Sequence, residues 1–163
     1  MGIIEFDADI TSIGYGAFAG CQFKSVTLPE SVTTIGDGVF VFCTAETINI
    51  PNTITSIGAG AFGLCGIKQI NIPEGVNVIK RETFGNSDLS SVVIPSTVSS
   101  VEDLAFNGAG YLTSIVCKAK TAPVLGLDVF GRVSETGTLY YPQGSDYSTW
   151  IAALPSTWTF IEI

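Results

Sequence analysis

Three of the four cysteines, Cys21, Cys43 and Cys65, stand at intervals of 22 residues, and thiols recurring in this way could cross-link, hold a metal or act as nucleophiles. A structural zinc site needs four ligands in a tetrahedron. Three thiols in a line do not make one, and the chain has no histidine to complete it. Column neighbours could approach to the Cα separation of about 4.4–6.8 Å that a disulfide requires, yet both side chains would point the same way into a core. The expected state is therefore buried free thiols acting as small apolar groups. Ser87 and Ala109 continue the column, and Cys117 stands apart from it.

The acidic residues raise calcium binding and glycoside hydrolysis. Glu5, Asp7 and Asp9 lie close together near the start, and Glu102-Asp103 fall at a corner, but none forms the D-x-D-x-D-G loop or a nonapeptide calcium repeat. Solvated surface is the expected role. Without histidine there is no His-dependent triad, no His-ligated metal and no ordinary neutral-pH proton shuttle. No nucleophile, base and orienting group are spaced to suggest one another, so no catalytic residue, metal or cofactor is expected. Seven Lys and Arg against 15 Asp and Glu leave a net charge of −8, which excludes the basic stripe that nucleic acid requires.

The elements that position these residues follow from one regularity. Shifting the chain by 22 residues aligns Ile13, Ile35, Ile57, Ile79 and Val101, and also Phe18, Phe40, Phe62, Phe84 and Phe106. Pro29, Pro51, Pro73 and Pro95 align as well, and the pair Val26/Leu28 recurs as Ile48/Ile50, Ile70/Ile72 and Val92/Ile94. The stretch Phe23–Leu28 is rich in β-branched residues and stopped by Pro29, which predicts a short strand. A second extended piece, Val32–Ile35, runs into Gly36, where glycines permit a tight corner and a Phe turns inward. One such coil cannot bury its own apolar side. Coils must stack, like residue over like, about 4.8 Å apart in parallel sheets.

The 163 residues, 46% hydrophobic and 13% charged, suit one such array. A half coil is expected over 1–9, regular coils over 10–120, a degenerate coil over 121–142 and a cap over 143–163. The first has no evident polar cap, which suggests an excised or processed start. Phe106 reaches Ile115 in one residue more than Phe84 needs to reach Val92, so the fifth coil carries an insertion. In the cap, Ser145 is expected to start a short helix with Tyr147, Trp150, Ile151 and Leu154 on one face, ended by Pro155. No apolar run approaches the roughly 20 residues that cross a bilayer as a helix, and the first residues lack a signal-peptide pattern.

Stacking places the outward residues of the Pro-terminated strands on a continuous face. They are Ser25/Thr27, Thr47/Asn49, Gln69/Asn71, Ser91/Val93 and Ser114/Val116, flanked by Lys24, Glu46 and Lys68. This nearly neutral polar face suits recognition by many weak hydrogen bonds, and Lys24, Ser25, Thr27, Glu46, Thr47, Asn49, Lys68, Gln69, Asn71 and Ser91 are the candidate ligand-binding residues. Val41, Phe42 and Leu64, at variable corner positions, form a candidate apolar contact ridge. The columns Thr11-Thr33-Thr55 and Ser12-Thr34-Ser56 raise binding to ice, but Asn77 and Val78 interrupt them.

The unit, shown by Val32 to Cys43 and Ile54 to Pro73, resembles the BspA-like leucine-rich repeats of bacterial and protist surface proteins. The ending from Leu139-Tyr140-Tyr141-Pro142 to Trp158 is similar to that family's terminal cap. The resemblance implies a right-handed leucine-rich-repeat solenoid, mainly β, with short parallel strands and a short C-terminal capping helix. It also implies a cell-surface or secreted location, and adhesion or binding to a host or microbial surface protein or glycan, with a structural spacer as the alternative. Coil four departs from the pattern, with Lys80, Glu82 and Ser87 where Gly, Gly and Cys are expected, which bears on the turn geometry there.

Overall fold

The computed structural model describes residues 10–163, and the half coil expected over 1–9, with Glu5, Asp7 and Asp9, lies outside the described residues. Each coil contributes two short strands. Along one side run β1 (Ser12–Ile13), β3 (Thr34–Ile35), β5 (Ser56–Ile57), β7 (Val78–Ile79), β9 (Ser100–Val101) and β11 (Val124–Leu125). Along another run β2 (Ser25–Thr27), β4 (Thr47–Asn49), β6 (Gln69–Asn71), β8 (Ser91–Ile94), β10 (Ser114–Cys117) and β12 (Thr138–Tyr141). Helix α1 (Ser148–Ala153) and β13 (Thr159–Glu162) end the chain.

All strand pairs are parallel, and the register stacks like on like: Ile13 on Ile35 on Ile57, Val26 on Ile48, and Ile70 on Val92. Val92 then pairs with Ile115, which absorbs the inserted residue of coil five without losing register. The aligned apolar residues fill the interior. Phe40, Phe62, Phe84 and Phe106 are fully buried, and the rings from Phe18 to Phe130 stack at centroid separations of 5.2–5.7 Å. Such ring contacts contribute about 0.5–1.5 kcal/mol each beyond their buried area.

Trp150 closes this aromatic column, its ring 5.2 Å from Phe130. Its Nε1 donates to Pro123 O at 2.8 Å, Tyr147 Oη donates to Ala119 O at 2.7 Å, and Trp158 Nε1 donates to Ser134 O at 2.8 Å. The ending therefore satisfies carbonyls of the last coil and covers its apolar end, while β13 adds a final strand beside β12. Ser145 does not start the helix. Pro142 to Gly144 form a tight turn with Gly144 at φ +73°, Ser145 N bonds back to Pro142 O, and Asp146 Oδ1 accepts from Ser148 N.

The corners repeat as strictly as the strands. Gly16, Gly38, Gly60, Glu82, Leu104 and Asp128 form one column of left-handed residues, and Gly20, Phe42, Leu64, Asn86, Gly108 and Arg132 form a second. Glu82 thus keeps the turn that glycine makes elsewhere. Ser87 takes the buried cysteine position by donating from Oγ to Phe84 O at 2.8 Å.

The ladders break at one place. Strands β1-β3-β5 form one sheet and β7-β9-β11 another, while β2-β4 are separate from β6-β8-β10-β12-β13. Both breaks fall at the same junction, between the coil of Ile57 and the coil of Ile79. At neighbouring junctions Gly36 N bonds Ile13 O, Gly58 N bonds Ile35 O and Glu102 N bonds Ile79 O, whereas among the described residues Lys80 N makes no such bond to Ile57 O. A Cβ on Gly58 would stand 2.3 Å from the Gly36 carbonyl carbon, so the stacking of Gly58 on Gly36 needs glycine, whereas Glu102 bonds Ile79 O with its Cβ in place. Lys80 carries that Cβ and cannot sit on Gly58 as Gly58 sits on Gly36.

Two hydroxyl rungs of the strand region are missing at the same junction, although Thr83 Oγ1 still donates to Gly58 O at 3.4 Å. Elsewhere Thr33, Thr55 and Ser99 donate hydroxyls to Thr11 O, Thr33 O and Asn77 O, and Thr53 and Thr97 donate to Val32 O and Val76 O. Asn77 and Gly75 occupy these columns in coil four and supply no hydroxyl. The coils stay joined at the corner, where Phe62 N bonds Thr83 O at 2.8 Å, Leu64 N bonds Gly85 O at 2.8 Å, and Phe62 stacks on Phe84.

Candidate functional site

The alternation of each strand sends Val26, Ile48 and Ile70 inward and leaves Ser25, Thr27, Thr47, Asn49, Gln69 and Asn71 exposed. Lys24, Glu46 and Lys68 are exposed beside them, while Ser91, Val93, Ser114 and Val116 are half-buried. The expected continuous face is corrected here. It is divided between β4 and β6, which belong to different sheets, at the same junction where β5 and β7 fail to pair.

The division opens a cleft of about 480 Å³, lined by Glu46 to Ile50 on one wall and Lys68 to Asn71 on the other. Lys68 N still donates to Glu46 O at 3.1 Å and closes one end. Asn49 Nδ2 donates to Thr27 Oγ1 at 3.3 Å, while among the described residues Thr47, Gln69 and Asn71 make no side-chain hydrogen bond within the chain. Their polar groups face solvent.

Lys68 is the best-positioned charge of the face. Its Nζ lies 2.8 Å from Asp88 Oδ2 and 5.6 Å from the Tyr111 ring centroid, and the hydrogen bond to Asp88 holds the ammonium above the ordinary lysine range. A second recess of about 300 Å³ shares Glu46 and Lys68 with the cleft and extends it towards Phe42 and Leu64. Phe42 is 61% exposed and Leu64 47% exposed, while Val41 is half-buried and stands apart from them. Both exposed residues adopt left-handed backbone, φ +57° and +52°, where a side chain costs about 1–2 kcal/mol. Gly20, Asn86 and Gly108 in the same column could have revealed this from the sequence. Two bulky apolar side chains thus stand at positions unfavourable for both backbone and solvation.

The thiols offer no reactive group there. All four cysteines are free; burial pushes Cys65 up to about 12 and raises Cys43 and Cys117, so the thiolate is suppressed at neutral pH. Among the described residues no three Cys, Asp or Glu converge to hold a metal ion. The Thr33 and Thr55 hydroxyls raised for ice binding donate to carbonyls of the preceding coil.

Among solved structures, the chain is similar to a leucine-rich repeat protein from Eubacterium ventriosum, at 28% identity and a TM-score of 0.61 over 66% of this chain and 29% of that one. It is also similar in fold to a leucine-rich repeat protein from Bacteroides ovatus, at 18% identity and a TM-score of 0.50 over 93% of this chain and 57% of that one. The chain therefore spans less than two thirds of either protein. No curated protein matches it. Residues 2–130 match the BspA type leucine rich repeat region in six copies, and the chain belongs to that family.

Proposed function

We propose that this chain is a non-enzymatic recognition module of a bacterial surface or secreted protein, binding a host or microbial surface protein or glycan through its polar strand face. Leucine-rich repeat proteins are generally interaction or structural modules, and the coils here supply a rigid scaffold with repeated outward groups. The observation that carries the reading is the exposed set Thr47, Gln69 and Asn71 around a cleft, with hydrogen-bonding groups directed to solvent and Lys68 held between them. Such a surface fits shallow polar recognition and supplies no catalytic constellation.

The test is binding of the chain to an array of matrix proteins, mucins and glycans, beside a variant carrying Glu46→Ala, Lys68→Ala and Asn71→Ala. Saturable binding lost in the variant is the expected result. Binding retained in full would move recognition to the Phe42–Leu64 ridge or the aromatic end. A spacer role is the second reading, favoured by the parallel stacking of the coils into a continuous aromatic-cored array. It predicts no binding to any array member.

A further inference from the structure

We infer that the cleft between β4 and β6 accepts an extended polypeptide segment as an inserted strand. This rests on the recognition reading above and narrows its partner to a polypeptide. In the flanking pairs Leu28 N bonds Asn49 O and Ile72 N bonds Val93 O, each at 3.0 Å, but among the described residues the equivalent bond from Ile50 N to Asn71 O is absent. Two strand edges therefore face one another across the cleft with backbone groups free to pair, and backbone groups at a sheet edge are templates for another chain. An extended peptide offers donors and acceptors on both its edges at the strand repeat of about 3.3 Å.

The cleft is also built for more than water. Its volume of about 480 Å³ lies within the range of ligand sites, and residues of both strands line it. Ile48 and Ile70 are buried beneath it, while Thr47, Asn49, Gln69 and Asn71 stand above. An inserted strand must therefore alternate, with apolar residues turned inward and polar ones outward. The Phe42–Leu64 ridge, reached through the recess beside Glu46 and Lys68, takes a further apolar residue at one end. The opening coincides with three departures from the repeat: Gly75 and Asn77 supply no hydroxyl rung, and Lys80 stands in the column where Gly58 packs on Gly36.

The probe is an acetylated peptide copying residues 67–73, Ile-Lys-Gln-Ile-Asn-Ile-Pro, whose parent segment already pairs on one edge with β8. It is titrated into the full chain beside a twin N-methylated at the second and third isoleucines, which keeps every side chain but removes two donors. The expected results are saturable binding, at least tenfold weaker for the N-methylated twin, and slowing of Ile50 amide exchange at least tenfold in the complex. Lys80→Gly, which lets coil four settle on Gly58, should weaken binding at least tenfold without lowering the melting temperature.

Equal binding of the twin overturns the proposal. So does Ile50 exchanging in the free chain as slowly as Leu28 and Ile72, or no binding by this peptide and by alternating Thr-Val and Gln-Ile peptides. If the Glu46/Lys68/Asn71 variant loses array binding while N-methylation changes nothing, the polar face recognises its ligand without strand insertion. Loss of both readouts removes both readings.

Discussion

Two parts of the same coil junction behave differently. Between the coils of Ile57 and Ile79 the aromatic corner is continuous, with Phe62 stacked on Phe84 at 5.4 Å, while the strand ladders on both sides are interrupted. The corner depends on side chains that fill the interior, and every coil from Phe18 to Phe130 supplies one. The ladders depend on how closely backbones approach, and at this junction, among the described residues, Lys80 N makes no bond to Ile57 O and Ile50 N none to Asn71 O. Packing and hydrogen bonding in a solenoid can therefore be uncoupled, and a junction can remain assembled while its edges open.

The largest effect that would break this comparison is expected at the corner. Phe84→Ala removes a fully buried ring between two others and should cost about 3–5 kcal/mol, seen as a lower midpoint in chemical denaturation. If the loss is under 1 kcal/mol, the corner is not what joins the two halves. Next in size is Gly58→Ala, whose Cβ would meet Gly36 backbone at 2.3 Å. It should destabilise by about 1–3 kcal/mol and speed amide exchange at Gly36 and Gly58, extending the interruption by one coil.

Leu64→Gly should stabilise the chain by up to about 1 kcal/mol, because the left-handed backbone no longer carries a side chain. Thermal denaturation reads the gain, and a loss instead would show that the exposed side chain contributes packing. The smallest effect is expected at Cys65. Its thiol, pushed from 9.0 to about 12 by burial, should resist iodoacetamide at pH 8 in the folded chain and react once the chain is unfolded. Because the folded pKa is raised, its contribution to stability is complete below about pH 9 and is lost as the pH rises towards 12.

The stacked columns were legible in the sequence because a strict 22-residue period leaves few other ways to bury Ile13, Phe18, Val26 and their successors. The insertion before Ile115 was legible for the same reason, and the aromatic ending from the helical spacing of Tyr147, Trp150, Ile151 and Leu154. The divided face was not. Lys80 is visible as a departure from glycine, but its effect depends on the distance between Gly58 and Gly36 backbones, which no spacing rule states. Ser145 does not cap the helix because the turn after Pro142 takes it up; Tyr147 stands at the N-cap without a side-chain bond, and Asp146 Oδ1 accepts from Ser148 N, which only the backbone resolves.

The Phe62–Phe84 contact gives the molecule a pin with two open sides, and this has a mechanical consequence. Pulled along its axis, a stack of equal coils would share the load along all its ladders. Here the load at one joint falls on a pair of rings and the few corner hydrogen bonds beside them, so the array should fracture between Ile57 and Lys80 first and part into two blocks. Force spectroscopy on the tethered chain would show that rupture as an early, low-force step of fixed length, absent in a variant whose Lys80 is replaced by glycine.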